Sequence, residues 1–62
     1  MNKPKCKLIG ENGNIFNLLC IARKVLLKNN LVYEALNMQN EVFNAKSYEE
    51  ALMILDKYVE IE

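Results

Sequence analysis

The residues that could do chemistry lie in the stretch Leu8 to Phe16, LIGENGNIF, where two glycines flank a polar turn between an aliphatic pair and an apolar segment. A helix N-terminus carries unpaired amides and about half a positive charge, and glycine lets the backbone approach an anion closely. Gly10, Gly13 and the amides near Asn14 could therefore hold a nucleotide or another anion, with Lys5, Lys7, Arg23 or Lys24 as counter-charge. The pattern departs from known phosphate loops. Asn14 and Ile15 follow Gly13 where Lys and Ser or Thr would stand, and G-x-G-x-x-G is absent. Glu11 in the turn repels an anion. The simpler reading is structural: Asn12-Gly13 supplies positive φ for a turn, and Asn14 caps the helix that follows.

Other chemistry finds less support. Cys6 and Cys20 have no histidine to activate them, because the chain contains none, and both fall on apolar faces where a free cysteine packs as a small hydrophobe. The missing histidine and the missing C-x-x-C pair also remove the common zinc sites. Glu49-Glu50 reads as the first turn of a helix, and Glu60 and Glu62 as the outer face of a strand. Tyr33, Tyr48 and Tyr58 read as core edges or interface anchors rather than base-stacking platforms. The sequence thus assigns no catalytic residue, metal ligand or cofactor.

The elements that must position these residues are few. Sixty-two residues make one domain, and a chain this short buries only about 60% of the surface its unfolded form exposes. A supplement to the core is expected, and oligomerisation is the one left once disulfides and metals are set aside. A composition 52% hydrophobic and 26% charged is that of a folding domain. MNKPKCK leads into a strand-like run rather than a secretory signal, and Arg23 and Lys24 interrupt the longest apolar stretch, so neither export nor a spanning helix is expected. The expected location is the cytoplasm, with reduced thiols.

Net charge is zero but segregated. Six basic residues stand against Glu11 up to Asn29, and seven acidic residues against Lys46 and Lys57 beyond it. An even balance argues against nucleic-acid binding, which needs a net basic face. The two halves are expected to neutralise one another within the chain or across a dimer.

Lys5-Cys6-Lys7-Leu8 alternates with period two, as does Val59-Glu60-Ile61-Glu62, so each end is expected to form a half-buried strand and the two to pair. Antiparallel pairing is expected, on the assumption that the last strand continues in the direction of the helix before it. Lysines facing glutamates would help the pairing by about 0.2–1 kcal/mol each. Between the strands the periodicity predicts three helices. The first runs from Ile15 to about Lys28, capped by Asn14, and is apolar on almost every side. The second runs from near Asn30 to about Asn44, with Val32, Ala35, Leu36, Val42 and Phe43 inward. The third is opened by a capping box at Ser47-Tyr48-Glu49-Glu50 and turns Tyr48, Ala51, Leu52, Leu55 and Val59 inward. A small α+β domain results, with an all-helical bundle as the alternative.

A strand, then LIGENGNIFNLL, then SYEEALMILDKYVEIE resembles a group of short uncharacterised proteins carried by bacteriophages and conjugative mobile elements. Their N-terminal stretch reads aliphatic-Gly-x-acid-or-amide-Gly-Asn-apolar, and the resemblance covers most of the chain. Asn12 stands where aspartate is common in the group. The resemblance implies a context, an accessory protein of a mobile element in a bacterial cytoplasm, and no functional residues. For function the sequence favours a non-enzymatic protein-interaction module, dimeric, with a host or phage protein as a further partner. Phe16, Cys20, Leu27, Met53 and Ile54 are its candidate interface residues, and anion binding or sequestration at the Gly10 to Asn14 turn is the alternative.

Overall fold

Two short strands and three helices follow one another as β1 (Lys5–Cys6), α1 (Ile15–Lys28), α2 (Val32–Phe43), α3 (Tyr48–Tyr58) and β2 (Glu60–Ile61) in the computed structural model, which describes residues 2–62. The strands pair with each other, giving the small α+β domain that the periodicity predicts.

Each helix boundary has a local cause. The Asn14 side chain accepts from the Phe16 amide at 2.9 Å and opens α1. α1 closes through Asn30, whose φ of 61° is left-handed. The Leu31 amide reaches back to the Leu26 carbonyl at 2.9 Å and the Asn30 amide to that of Leu27 at 3.1 Å, the two bonds of a Schellman stop. That stop delays α2, which begins at Val32 and not near Asn30 as expected. The Ser47 hydroxyl accepts from the Glu50 amide at 3.0 Å and opens α3, so half of the capping box forms. Among the described residues no return bond from the Glu50 side chain completes it.

The strands run parallel, with Lys5 beside Glu60 and Cys6 beside Ile61, which corrects the antiparallel expectation. Alternation cannot distinguish the two directions, because either one turns Cys6 and Ile61 to one face and the charges to the other. A parallel pair needs only a crossover of a dozen residues or more, and three helices exceed that. The Glu60 amide donates to the Pro4 carbonyl at 2.8 Å, Glu62 to Cys6 at 2.9 Å, and Leu8 back to Glu62 at 2.8 Å.

The core is Cys6, Leu8, Leu18, Leu19, Ala22, Leu26, Ala35, Met38, Val42, Ala51, Leu55 and Val59, and no polar side chain is buried among the described residues. α2 departs from its expected stripe. Ala35, Met38 and Val42 face inward, whereas Val32, Leu36 and Phe43 are 51%, 54% and 58% exposed. On α3, Ala51, Leu55 and Val59 are buried as expected, but Tyr48 is exposed and Leu52 only half-buried.

The positive φ of the opening turn belongs to Gly10, at +93°, and not to Gly13. The Glu11 amide donates to the Leu8 carbonyl at 3.1 Å across this turn, a geometry whose third residue takes positive φ. A methyl group at Gly10 would meet nothing within 4 Å, so Gly10→Ala is expected to cost about 1 kcal/mol through backbone strain alone. A urea midpoint unchanged in Gly10→Ala would refute this.

Candidate functional site

The helical hairpin of α1 and α2 carries most of the open apolar surface. α1 spends Leu18, Leu19, Ala22 and Leu26 on the core, which leaves Phe16, Cys20, Arg23 and Leu27 along one shoulder at spacings of four, three and four. α2 spends Ala35, Met38 and Val42, which leaves Val32, Leu36 and Phe43 at the matching spacing, with half-buried Gln39 between the last two. The two rows lie side by side. The Phe16 and Phe43 rings sit 6.3 Å apart at 56°, and Arg23 Nη1 donates to Gln39 Oε1 at 3.0 Å. The result is one face with two phenylalanines at one end, Leu27 and Val32 toward the other, and a polar pair between.

Phe16 is 61% exposed and Leu27 44%, with Phe43, Leu36 and Val32 between those values. Together these five side chains leave on the order of 500 Å² of apolar surface open to water, at the upper end of the largest patch on an ordinary monomer. At the phenylalanine end the face runs into a groove of roughly 420 Å³, bordered by Phe16, Phe43, Ala45, Lys46, Tyr48 and Ala51.

The interface residues expected from sequence therefore divide. Phe16, Cys20 and Leu27 share the hairpin face. Met53, 72% exposed, lies elsewhere, on a shallow groove with Lys3, Leu52, Asp56, Lys57 and Ile61. Ile54 is half-buried and packs against the core. Sequence reasoning missed Val32, Leu36 and Phe43 by assigning them inward; their signal was a spacing that repeats the one on α1.

The anion-site residues are not gathered. The Asn12 side chain accepts from the Asn14 amide and the Asn14 side chain from the Phe16 amide, both at 2.9 Å, so two amides of the turn already have partners. The Tyr48 hydroxyl donates to the Gly13 carbonyl at 2.5 Å and ties the turn to α3. Gly10 and Lys7 are exposed near the strand end. Arg23 lies two turns along α1, about 12 Å from its start, and is turned to Gln39, with Lys24 exposed beside it.

The cysteines also part company. Cys6 is buried, and burial, reinforced by the Glu62 charge, pushes its thiol above the ordinary value. Cys20 is exposed on the hairpin face, not packed inward as the apolar pattern suggested. A thiol reagent is expected to titrate one cysteine rapidly in dilute native protein and both in denaturant. Two fast thiols under native conditions would contradict the burial of Cys6.

Glu41 on α2 holds the end of α3, with one carboxylate oxygen on Lys57 Nζ and the other on the Tyr58 hydroxyl. Those two bonds, that of Lys57 first, hold the Glu41 carboxyl below its ordinary value, while the Glu41 carboxylate on its hydroxyl, with burial, pushes the Tyr58 phenol up to about 12. Because the phenol is raised in the fold, the stability it contributes is complete below pH 10 and lost as pH climbs through about 12. Glu41 has the opposite sign: its contribution is complete above pH 4.5 and fades as pH falls below that. Absorbance titration of the phenolate is expected to show one tyrosine near 12 that returns toward 10 in Glu41→Gln. A Tyr58 midpoint indifferent to that substitution would dismiss the linkage.

Among the described residues no helix is long and apolar enough to cross a membrane, and no three His, Cys, Asp or Glu side chains cluster as a metal site would require. No family model, curated protein or solved structure matches the chain.

Proposed function

We propose that the protein is a non-enzymatic protein-interaction module that acts as a homodimer, with the α1 and α2 hairpin face as its interface. The observation that carries this is the five open apolar side chains of that face, drawn from two helices and held in one surface. Their area supports a second copy as occupant: with a polar rim, the roughly 500 Å² of apolar surface approaches the 800 Å² or so that each partner contributes to a stable complex. Pairing about a two-fold axis needs only one surface of this kind, because such an interface is self-complementary. A chain of 62 residues, with a small core, gains most from that burial.

The resemblance of LIGENGNIFNLL and SYEEALMILDKYVEIE to proteins of phages and conjugative elements supports a role as an accessory protein of such an element in a bacterial cytoplasm, with a host or phage protein engaged by the dimer.

Sedimentation at micromolar concentration tests the dimer. The expected species has twice the 7.2 kDa of the chain, and Cys20 is expected to lose reactivity as concentration rises. A monomer at every concentration, with Cys20 uniformly reactive, would overturn the proposal.

A further inference from the structure

A second surface, with none of the hairpin-face residues in it, lies at β2. In a parallel ladder both polar groups of one residue point to the same side. The bonds of Glu60 and Glu62 to β1 therefore turn the Ile61 amide and carbonyl away from β1. Among the described residues nothing bonds to the Ile61 amide. Ile61 also borders the groove of roughly 740 Å³ that holds Leu52 and the exposed Met53. One residue thus presents an open strand edge and an apolar floor.

The charges around that edge select the occupant. Lys3 Nζ is taken by the Asp56 carbonyl, and Lys57 Nζ by Glu41. Among the described residues the carboxylates of Asp56, Glu60 and Glu62 have no cation within 4 Å. The inner edge of β2 already shows which kind of strand suits this arrangement. It is β1, whose Lys5 stands beside Glu60 on the outer face while Cys6 stands beside Ile61 on the inner one. The free edge has the same alternation: glutamates outside, Ile61 inside.

The geometry points to β2 as a docking edge for an extended segment of a partner protein in which lysine or arginine alternates with aliphatic residues. The segment adds a third strand. Its backbone pairs with Ile61, its basic side chains lie beside Glu60 and Glu62, and its aliphatic ones cover Leu52 and Met53. This surface is separate from the hairpin face, so a dimer leaves it open.

The probe is a capped synthetic pentapeptide alternating lysine and valine, titrated into the labelled full chain and followed by NMR, with a glutamate and valine peptide as comparison. Saturable shifts are expected at Ile61, Leu52 and Met53, together with slower hydrogen exchange of the Ile61 amide. Affinity is expected to fall at least tenfold for the glutamate peptide, and equally for the lysine peptide in Met53→Lys, whose exposed position leaves the helical circular dichroism unchanged. Phe43→Glu is expected to leave peptide binding intact, which separates this edge from the dimer face. No saturable shift at millimolar peptide, equal binding of the glutamate peptide, or shifts confined to α1 and α2 would overturn it.

Discussion

Leu26→Ala is expected to remove about half of the protein's stability at 25 °C. Leu26 is 0% exposed and sits in the central layer with Met38, Leu55 and Val59, all equally buried. Truncating a leucine there removes its transfer free energy and opens a cavity, at a cost of about 2–5 kcal/mol. A domain of 62 residues has only about 3–9 kcal/mol to lose. The site also cannot collapse easily, because the Leu26 carbonyl receives the amides of Asn29 and Leu31 that end α1, at 3.0 and 2.9 Å. Leu27→Ala, one residue on and on the open hairpin face, is expected to change monomer stability by no more than about 0.5 kcal/mol. Urea unfolding of the two variants side by side decides the matter, and similar midpoints would mean that the inward and outward faces of α1 are assigned wrongly.

Phe43→Glu is expected to abolish self-association while leaving the fold intact. Phe43 is 58% exposed and touches Phe16, so the monomer gives up little when its ring is removed. In a dimer built on this face the ring is buried, and the glutamate would be an unpaired charge in an apolar interface. An aromatic side chain buried in an interface costs about 2 kcal/mol on truncation, and the added charge raises that to about 3 kcal/mol, or more than a hundredfold in affinity. Sedimentation is expected to show only the monomer for Phe43→Glu at concentrations where the native chain is dimeric. The melting temperature of the native chain is expected to rise with its concentration, and that of the variant to stay fixed. Equal association of the two would remove Phe43 from the interface.

The sequence was most informative where a single residue decides a local geometry. Asn14 and Ser47 announced two helix starts correctly because their side chains serve amides two or three residues away, whatever the rest of the chain does. The strand ends were legible for a similar reason: Lys5, Cys6, Glu60 and Ile61 alternate, and their charges match. The direction of pairing was not legible, since alternation is blind to it. On α2 the difficulty was a choice between two apolar rows. Val32, Leu36 and Phe43 are larger and more hydrophobic than Ala35, and Met38 lies off the row they suggest, yet packing against α1 and α3 has room for the row with the alanine. Side-chain size read along one helix cannot reveal how closely a neighbour approaches.

The same limit governed the candidate sites. The sequence placed the positive φ at Asn12-Gly13, but the Leu8 to Glu11 turn puts it at Gly10, and Gly13 instead offers its carbonyl to the Tyr48 hydroxyl. Phe16, Cys20 and Leu27 were legible as a surplus of apolar residues on α1. Their matching row on α2, which turns three residues into a face, depended on a tertiary arrangement that no periodicity encodes. The Glu41 link to Lys57 and Tyr58 spans 16 and 17 positions and left no mark on the local pattern.

The parallel register of β1 and β2 has a mechanical consequence. Pro4 bonds to Glu60 at one end of the ribbon, and Leu8 to Glu62 at the other. Tension applied through the two flanking ends of the chain therefore slides one strand along the other and loads all the ladder bonds together, in shear. An antiparallel ribbon between the same helices would be peeled open one bond at a time. The short sheet is thus placed to act as a clasp on the three helices it encloses whenever the chain is pulled from both sides.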